Sequence, residues 1–153
     1  MPRASSWATP PEFYIDEGLV GKTLRRFFED LGYTVHTPAK VFGSRHRAQG
    51  TPDEVWMARC GENRWAALAR DTKIMQRPAE IAAFKAAKIH IFYYPGNARR
   101  DELVRAAEAT LVDVCTYALR AGGGAWRIHG GNRSRVEPLT VPELSRRRRR
   151  AGR

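Results

Sequence analysis

The chain is expected to fold as an α/β domain, a parallel sheet covered by helices. Two observations predict this. Short apolar segments alternate four times with segments of helical periodicity, and the strand-like segments are apolar and β-branched. Phe13-Tyr14-Ile15 is the first strand, closed by Asp16. Leu19, Val20, Thr23, Leu24, Phe27, Phe28 and Leu31 then recur at helical spacing, with Lys22, Arg25, Arg26, Glu29 and Asp30 on the other face. Gly32 stands where such a helix stops. Tyr33-Thr34-Val35-His36 follows as a second strand, and residues 37–50 form a loop rich in Gly, Arg and His.

Thr51-Pro52-Asp53-Glu54 is expected to open the next helix as a capping box, with Thr51 as N-cap, Pro52 first in the helix and Glu54 third. That helix carries Val55, Trp56 and Cys60 and finishes at Gly61. Trp65-Ala66-Ala67-Leu68-Ala69 is a third strand, halted by Arg70-Asp71. Pro78 opens a short helix containing Ile81, Ala82 and Phe84. Ile89-His90-Ile91-Phe92-Tyr93 is a fourth strand, ending near Pro95-Gly96. Residues 101–119 form a long helix with Leu103, Ala107, Leu111, Val114 and Ala118 on one stripe, broken by Gly122-Gly123-Gly124. Trp126-Arg127-Ile128 adds a last short strand, so the sheet is expected to have four to five.

At 153 residues, 42% hydrophobic and 28% charged, the chain is long and apolar enough for one packed domain, which excludes wholesale disorder. Its apolar runs fall far short of the roughly 20 residues a membrane helix needs. The first eleven residues lack the apolar centre of a secretory signal. Cys60 and Cys115 are too far apart for a metal-binding cysteine pair and fit a reducing, cytoplasmic setting. The division expected is an N-terminal extension over 1–11, the α/β domain over 12–130, and a basic, mobile tail over 131–153. The net charge is +11, of which +6 lies in residues 133–153. A basic body suits a polyanionic partner, and nucleic acid is the commonest.

In an open parallel sheet, ligands bind beyond the carboxyl ends of the strands. Asp16 and Asp71 close two strands, and Asp53-Glu54 begins the helix between them. If the first and third strands are neighbours, these carboxylates converge on one edge. Several carboxylates in one cleft call for a hard divalent cation, Mg²⁺ or Mn²⁺. Each residue also has a plainer role available: Asp16 as a helix cap, Asp53 at the positive end of a helix dipole, Glu54 in the capping box, Asp71 in a turn. The loop cations Lys40, Arg45 and Arg47, with His46 and the aromatic Phe42, would clamp a nucleic-acid strand, or else form an ordinary solvated loop. Arg70, Lys73 and Arg77 are further phosphate contacts. His90 and the tryptophans Trp56, Trp65 and Trp126 are expected to pack.

With these residues in place, the chain resembles the PIN-like ribonuclease superfamily, in particular the branch with the VapC-type toxins of bacterial toxin–antitoxin pairs. Three blocks carry the resemblance: Phe13-Tyr14-Ile15-Asp16-Glu17-Gly18-Leu19, Thr51-Pro52-Asp53-Glu54-Val55-Trp56, and Ala69-Arg70-Asp71-Thr72-Lys73-Ile74 followed by Arg77-Pro78-Ala79-Glu80. The resemblance implies a three-layer α/β/α sandwich and a Mg²⁺- or Mn²⁺-dependent endoribonuclease. Asp16 would match the first metal carboxylate, Asp53 or Glu54 the second, and Asp71 the third. Lys73 and Gln76 stand where a further acidic residue is usual, so three carboxylates would hold the metal, or Glu17 would assist. The resemblance further implies an antitoxin protein as partner, and a homodimer.

Two other readings compete. Pro52-Asp53 and Asp71-Thr72-Lys73 formally match the PD…(D/E)xK pattern of restriction-type DNA nucleases, although that pattern places its second half on a strand of an antiparallel pair. A catalytically inactive module that binds nucleic acid or protein would use the same acids as caps and surface charge.

Overall fold

The computed structural model describes residues 1–16 and 19–140; the side chains of Leu19, Val20 and Arg45 are outside what it describes. Six strands form one sheet: β1 (Phe13–Ile15), β2 (Val35–His36), β3 (Ala66–Arg70), β4 (His90–Tyr94), β5 (Gly124–His129) and β6 (Arg135–Pro138). Their order is β2-β1-β3-β4-β5-β6, with β1 to β5 parallel and β6 antiparallel to β5. The helices are α1 (Leu19–Asp30), α2 (Pro38–Phe42), α3 (Arg45–Gln49), α4 (Asp53–Asn63), α5 (Pro78–Ala87) and α6 (Arg100–Ala118). The expected α/β sandwich with a mainly parallel sheet is the observed one.

The layers follow from strand alternation. Phe13, Ile15, Leu68 and Phe92 point to one face, where Leu24 and Phe28 of α1 and Leu103 and Leu111 of α6 cover them. Tyr14, Ala67, Ala69, Ile91 and Tyr93 point to the other, where Trp56 and Met57 of α4 and Ile81 and Phe84 of α5 pack. A strand buried on both faces must be apolar at every position, hence the uninterrupted runs seen in the sequence. Helices α4 and α5 lie very close together. A Cβ on Gly61 would come 2.7 Å from the carbonyl oxygen of Ala87.

Several local expectations are corrected. The capping box at Thr51 does not form: Pro52 is the N-cap of α4, and the Thr51 hydroxyl instead donates to the Arg47 carbonyl at 2.9 Å. Helix α4 does not stop at Gly61 but runs on to Asn63, with Arg64 left-handed at φ 58° as its C-cap. Glycine at 61 serves helix packing and not termination. The stretch 37–50 is no open loop, since it holds α2 and α3, the latter capped by the Ser44 hydroxyl. The second strand is shorter than expected, Val35–His36 alone. The sheet has six strands and not four to five, because Arg135–Pro138, assigned to a mobile tail, pairs with β5 beyond the expected boundary at 130. A hydrogen bond between the His129 ring and the Glu137 carboxylate ties the two strands together. Residues 141–153, with the arginines at 146–150, lie outside the described residues.

Candidate active site

Strands β1 and β3 are neighbours, with Ile15 level with Leu68. The Asp16 amide continues this ladder by donating to the Leu68 carbonyl at 2.9 Å. Alternation then turns Asp16 to the face that α4 and α5 cover. The first turns of both helices begin at this same carboxyl end of the sheet. The result is a cleft of about 350 Å³ lined by Asp16 from the end of β1, Asp53 from α4, Thr72, Lys73 and Gln76 from the β3–α5 connection, Arg77 and Glu80 at the start of α5, and Tyr93 from β4.

The charge on this cleft is organised around two groups. Tyr93 is buried in the floor; burial pushes its phenol pKa well above the usual value, and the negative charges of Glu80, Asp16 and Asp53 push it further. Carboxylates from β1, α4 and α5 therefore bear on one side chain. Arg77 sits among the acids. Its Nε lies 2.6 Å from Glu80 Oε1, and its Nη2 lies 3.6 Å from Glu54 Oε1 and 3.7 Å from Asp53 Oδ2. Glu80, at 9% exposure, is the one carboxylate of the three that is buried, and its bond to Arg77 is the main reason the guanidinium pKa rises above its ordinary value. Asp53 is held from behind: the Trp56 indole Nε1 donates to Asp53 Oδ1 at 2.9 Å. Trp56 is in turn stacked on Tyr14, with ring centroids 5.4 Å apart. The packing role expected for Trp56 thus carries a second one, aiming a carboxylate.

Asp71 is placed differently. It begins a 3-10 turn after β3, and its Oδ1 accepts a hydrogen bond from the Gly96 amide at 3.0 Å. Its neighbours Thr72 and Lys73 line the cleft, whereas Asp71 is not among the described lining residues. That turn, between parallel strands, is not the strand of an antiparallel pair that a PD…(D/E)xK site would use. Pro52-Asp53, the first half of that pattern, opens a helix.

The PIN-like domain family matches residues 11–96, more than half of the chain and the whole of this cleft. The chain belongs to the PIN-like domain family. Its members are generally nucleases, so the fold is of nuclease type. No curated protein and no solved structure gave a significant match.

The cations of this PIN-like domain fall into two groups. Lys73 faces the cleft. Arg77 faces it too, with its guanidinium paired to the carboxylates of Asp53, Glu54 and Glu80. Arg70 is half-buried, its Nε enclosed and without a hydrogen-bond partner among the described residues. Lys40, His46 and Arg47 are exposed on α2 and α3 away from the cleft lining, and the side chain of Arg45 is not described. Phe42 is no free stacking platform: it packs against the α4–α5 core, with the Arg59 guanidinium 5.6 Å from its ring centre. Glu80 lines the cleft although it is not among the expected site residues. It stands in the third block of the resemblance, and its signal is an acid two residues after Pro78, in the first turn of α5.

Mg²⁺ and Mn²⁺ take oxygen ligands, carboxylates and water foremost. The donors that gather here are of that kind, and they already share one cation, the guanidinium of Arg77. Among the described residues no three His, Cys, Asp or Glu side chains stand close enough to hold a bare ion. The spacing is that of a guanidinium, which is far larger than Mg²⁺. In donor chemistry the residues fit a divalent cation.

Proposed function

We propose that this PIN-like domain is a metal-dependent endoribonuclease. The observation that carries the reading is the acidic cleft at the carboxyl ends of β1, β3 and β4, with Asp16, Asp53 and Glu80 in its lining and Lys73 beside them. Asp16, Asp53 and Glu80 would hold Mg²⁺ or Mn²⁺, with Glu54 and Asp71 at its margin. The ion supplies Lewis acidity to a phosphodiester and lowers the pKa of water. Asp53, fixed by Trp56, and Asp16, fixed by the β1–β3 ladder, set the geometry in advance of substrate. Lys73 binds non-bridging phosphate oxygens and offsets the charge that grows on them. The hydrogen bond from Gly96 orients Asp71 and with it the turn that presents Lys73.

A basic chain supports a nucleic-acid substrate, and Lys40 and Arg47, exposed on α2 and α3, would offer an RNA strand further phosphate contacts. The resemblance to VapC-type toxins favours RNA and a toxin role in the cytoplasm, with an antitoxin protein covering the cleft and a second copy of the chain as further partner. The test is cleavage of a labelled single-stranded RNA pool with Mn²⁺ or Mg²⁺, comparing wild type, Asp16→Asn and an EDTA control. Cleavage should fall by about two orders of magnitude or more when the carboxylate is removed, and should vanish with EDTA. Tight RNA binding without metal-dependent cleavage would overturn the enzyme reading in favour of a binding module.

A further inference from the structure

The cation that neutralises the cleft belongs to the chain itself, and it is held in an unequal way. Glu80 is buried and cannot lose its partner without cost, since a buried carboxylate needs a counter-charge or hydrogen bonds. Arg77 is 59% exposed at its side chain, so water readily takes over its donors when it leaves. It stands at the N-cap of α5 in extended conformation, immediately before Pro78, so its side chain can swing without disturbing the helix. Its contacts span two elements, Glu80 on α5 and both acids in the first turn of α4. The carboxylates therefore require a cation, but not this one.

We infer that Arg77 is a resident counter-ion that a divalent cation displaces from Asp53, Glu54 and Glu80, and that the released guanidinium then binds substrate phosphate. The inference rests on the metal-dependent reading above. One guanidinium cannot serve the carboxylates and a phosphate together. Metal binding frees Arg77 for the substrate, and substrate holds Arg77 away from the carboxylates. The two ligands must then strengthen each other's binding by the same factor. The planar, five-donor guanidinium suits both partners, carboxylate and phosphate alike. Arg77 is in this way a positioning residue for the metal and a direct ligand for the RNA.

The experiment is a calorimetric Mn²⁺ titration of the full chain as wild type, Arg77→Gln, Arg77→Lys and Lys73→Gln, with circular dichroism to check folding. Lys73→Gln removes the same charge from the same cleft, and among the described residues Lys73 forms no ion pair. Arg77→Gln should bind Mn²⁺ about tenfold more tightly than wild type, Arg77→Lys by an intermediate factor, and Lys73→Gln with a clearly smaller gain. Anisotropy of a fluorescent single-stranded RNA, with and without Ca²⁺ and with its integrity checked on gels, supplies the second readout. The cation should tighten RNA binding to wild type, and to Arg77→Gln several-fold less. Equal Mn²⁺ affinity in wild type and Arg77→Gln, or equal gains in Arg77→Gln and Lys73→Gln, would overturn the inference while leaving the metal-dependent reading intact. Failure of wild type and Arg77→Gln alike to bind Mn²⁺ would overturn both.

Discussion

His90 shows how much a single buried side chain can be made to report. It lies in β4 at 5% exposure, with Nε2 2.8 Å from the Arg120 carbonyl and Nδ1 3.1 Å from the Trp126 indole nitrogen. A carbonyl only accepts and an indole N–H only donates, so the ring must be neutral with its proton on Nε2. Burial lowers its pKa below the ordinary 6.5. The unfolded chain therefore binds this proton at a higher pH than the native one. Its contribution to stability is complete above about pH 6.5 and is lost as pH falls through the lower native value. Urea denaturation of wild type should show stability declining below about pH 6.5, and His90→Gln should flatten that limb while lowering stability at pH 7. An unchanged pH slope in the variant would assign the acid sensitivity to other groups.

The two thiols work in the opposite sense. Cys60 and Cys115 are fully buried, and burial raises the Cys115 pKa from 9.0 to about 11. A raised thiol pKa keeps its stabilisation whole below about pH 9 and loses it as pH climbs toward 11. A colorimetric thiol reagent should find no reactive cysteine in the native protein at neutral pH and two after unfolding.

Among elements, the pairing of α4 with α5 shapes the site, because the first turns of these two helices supply Asp53, Glu54, Arg77 and Glu80. Gly61 permits the approach. In an isolated helix, alanine would be better than glycine by about 1 kcal/mol. Here a methyl group would meet the Ala87 carbonyl at 2.7 Å, and backbone cannot turn aside as a side chain does. Gly61→Ala should therefore destabilise the protein, by about 1–3 kcal/mol as for other overpacked contacts, in a denaturant midpoint. It should also weaken Mn²⁺ binding, since the two sets of carboxylates would be moved apart. The residue reads in sequence as a helix stop because glycine commonly is one. Only its neighbour across the interface distinguishes a contact glycine from a terminator, and that neighbour is 26 residues later.

For the whole molecule, the antiparallel addition of β6 matters most. Ending the chain at residue 130 would strip β5 of its antiparallel partner, remove Val136 from the α1–α6 core and Leu139 from the α4–α5 core, and make the longer β5 the open sheet edge. Such a truncation should lose stability and gain a tendency to associate, seen as a lower melting temperature and a light-scattering signal that the chain ending at 140 does not show. If the two truncations behave alike, β6 adds nothing to the fold. Its four residues carry Arg135, Glu137 and Pro138 around one valine, a polar composition that looks like tail and suits an edge strand.

The sequence by itself determined the layer type and the succession along the chain of the first five strands and of helices α1, α4, α5 and α6, because apolar runs and helical stripes are local signals of burial; the order of the strands within the sheet it left open. It also picked out Asp16 and Asp53, since an acid at a strand end or in a helix first turn is marked by its position in the chain. It could not show that Glu80 is buried, that Trp56 aims Asp53, or that Arg77 answers three carboxylates. Those facts depend on how α4 and α5 close over the sheet, and a charged residue looks the same in sequence whether it meets solvent or an opposite charge. The neighbours of a side chain are set by contacts between distant segments. The site's charge balance was therefore decided by the tertiary structure alone.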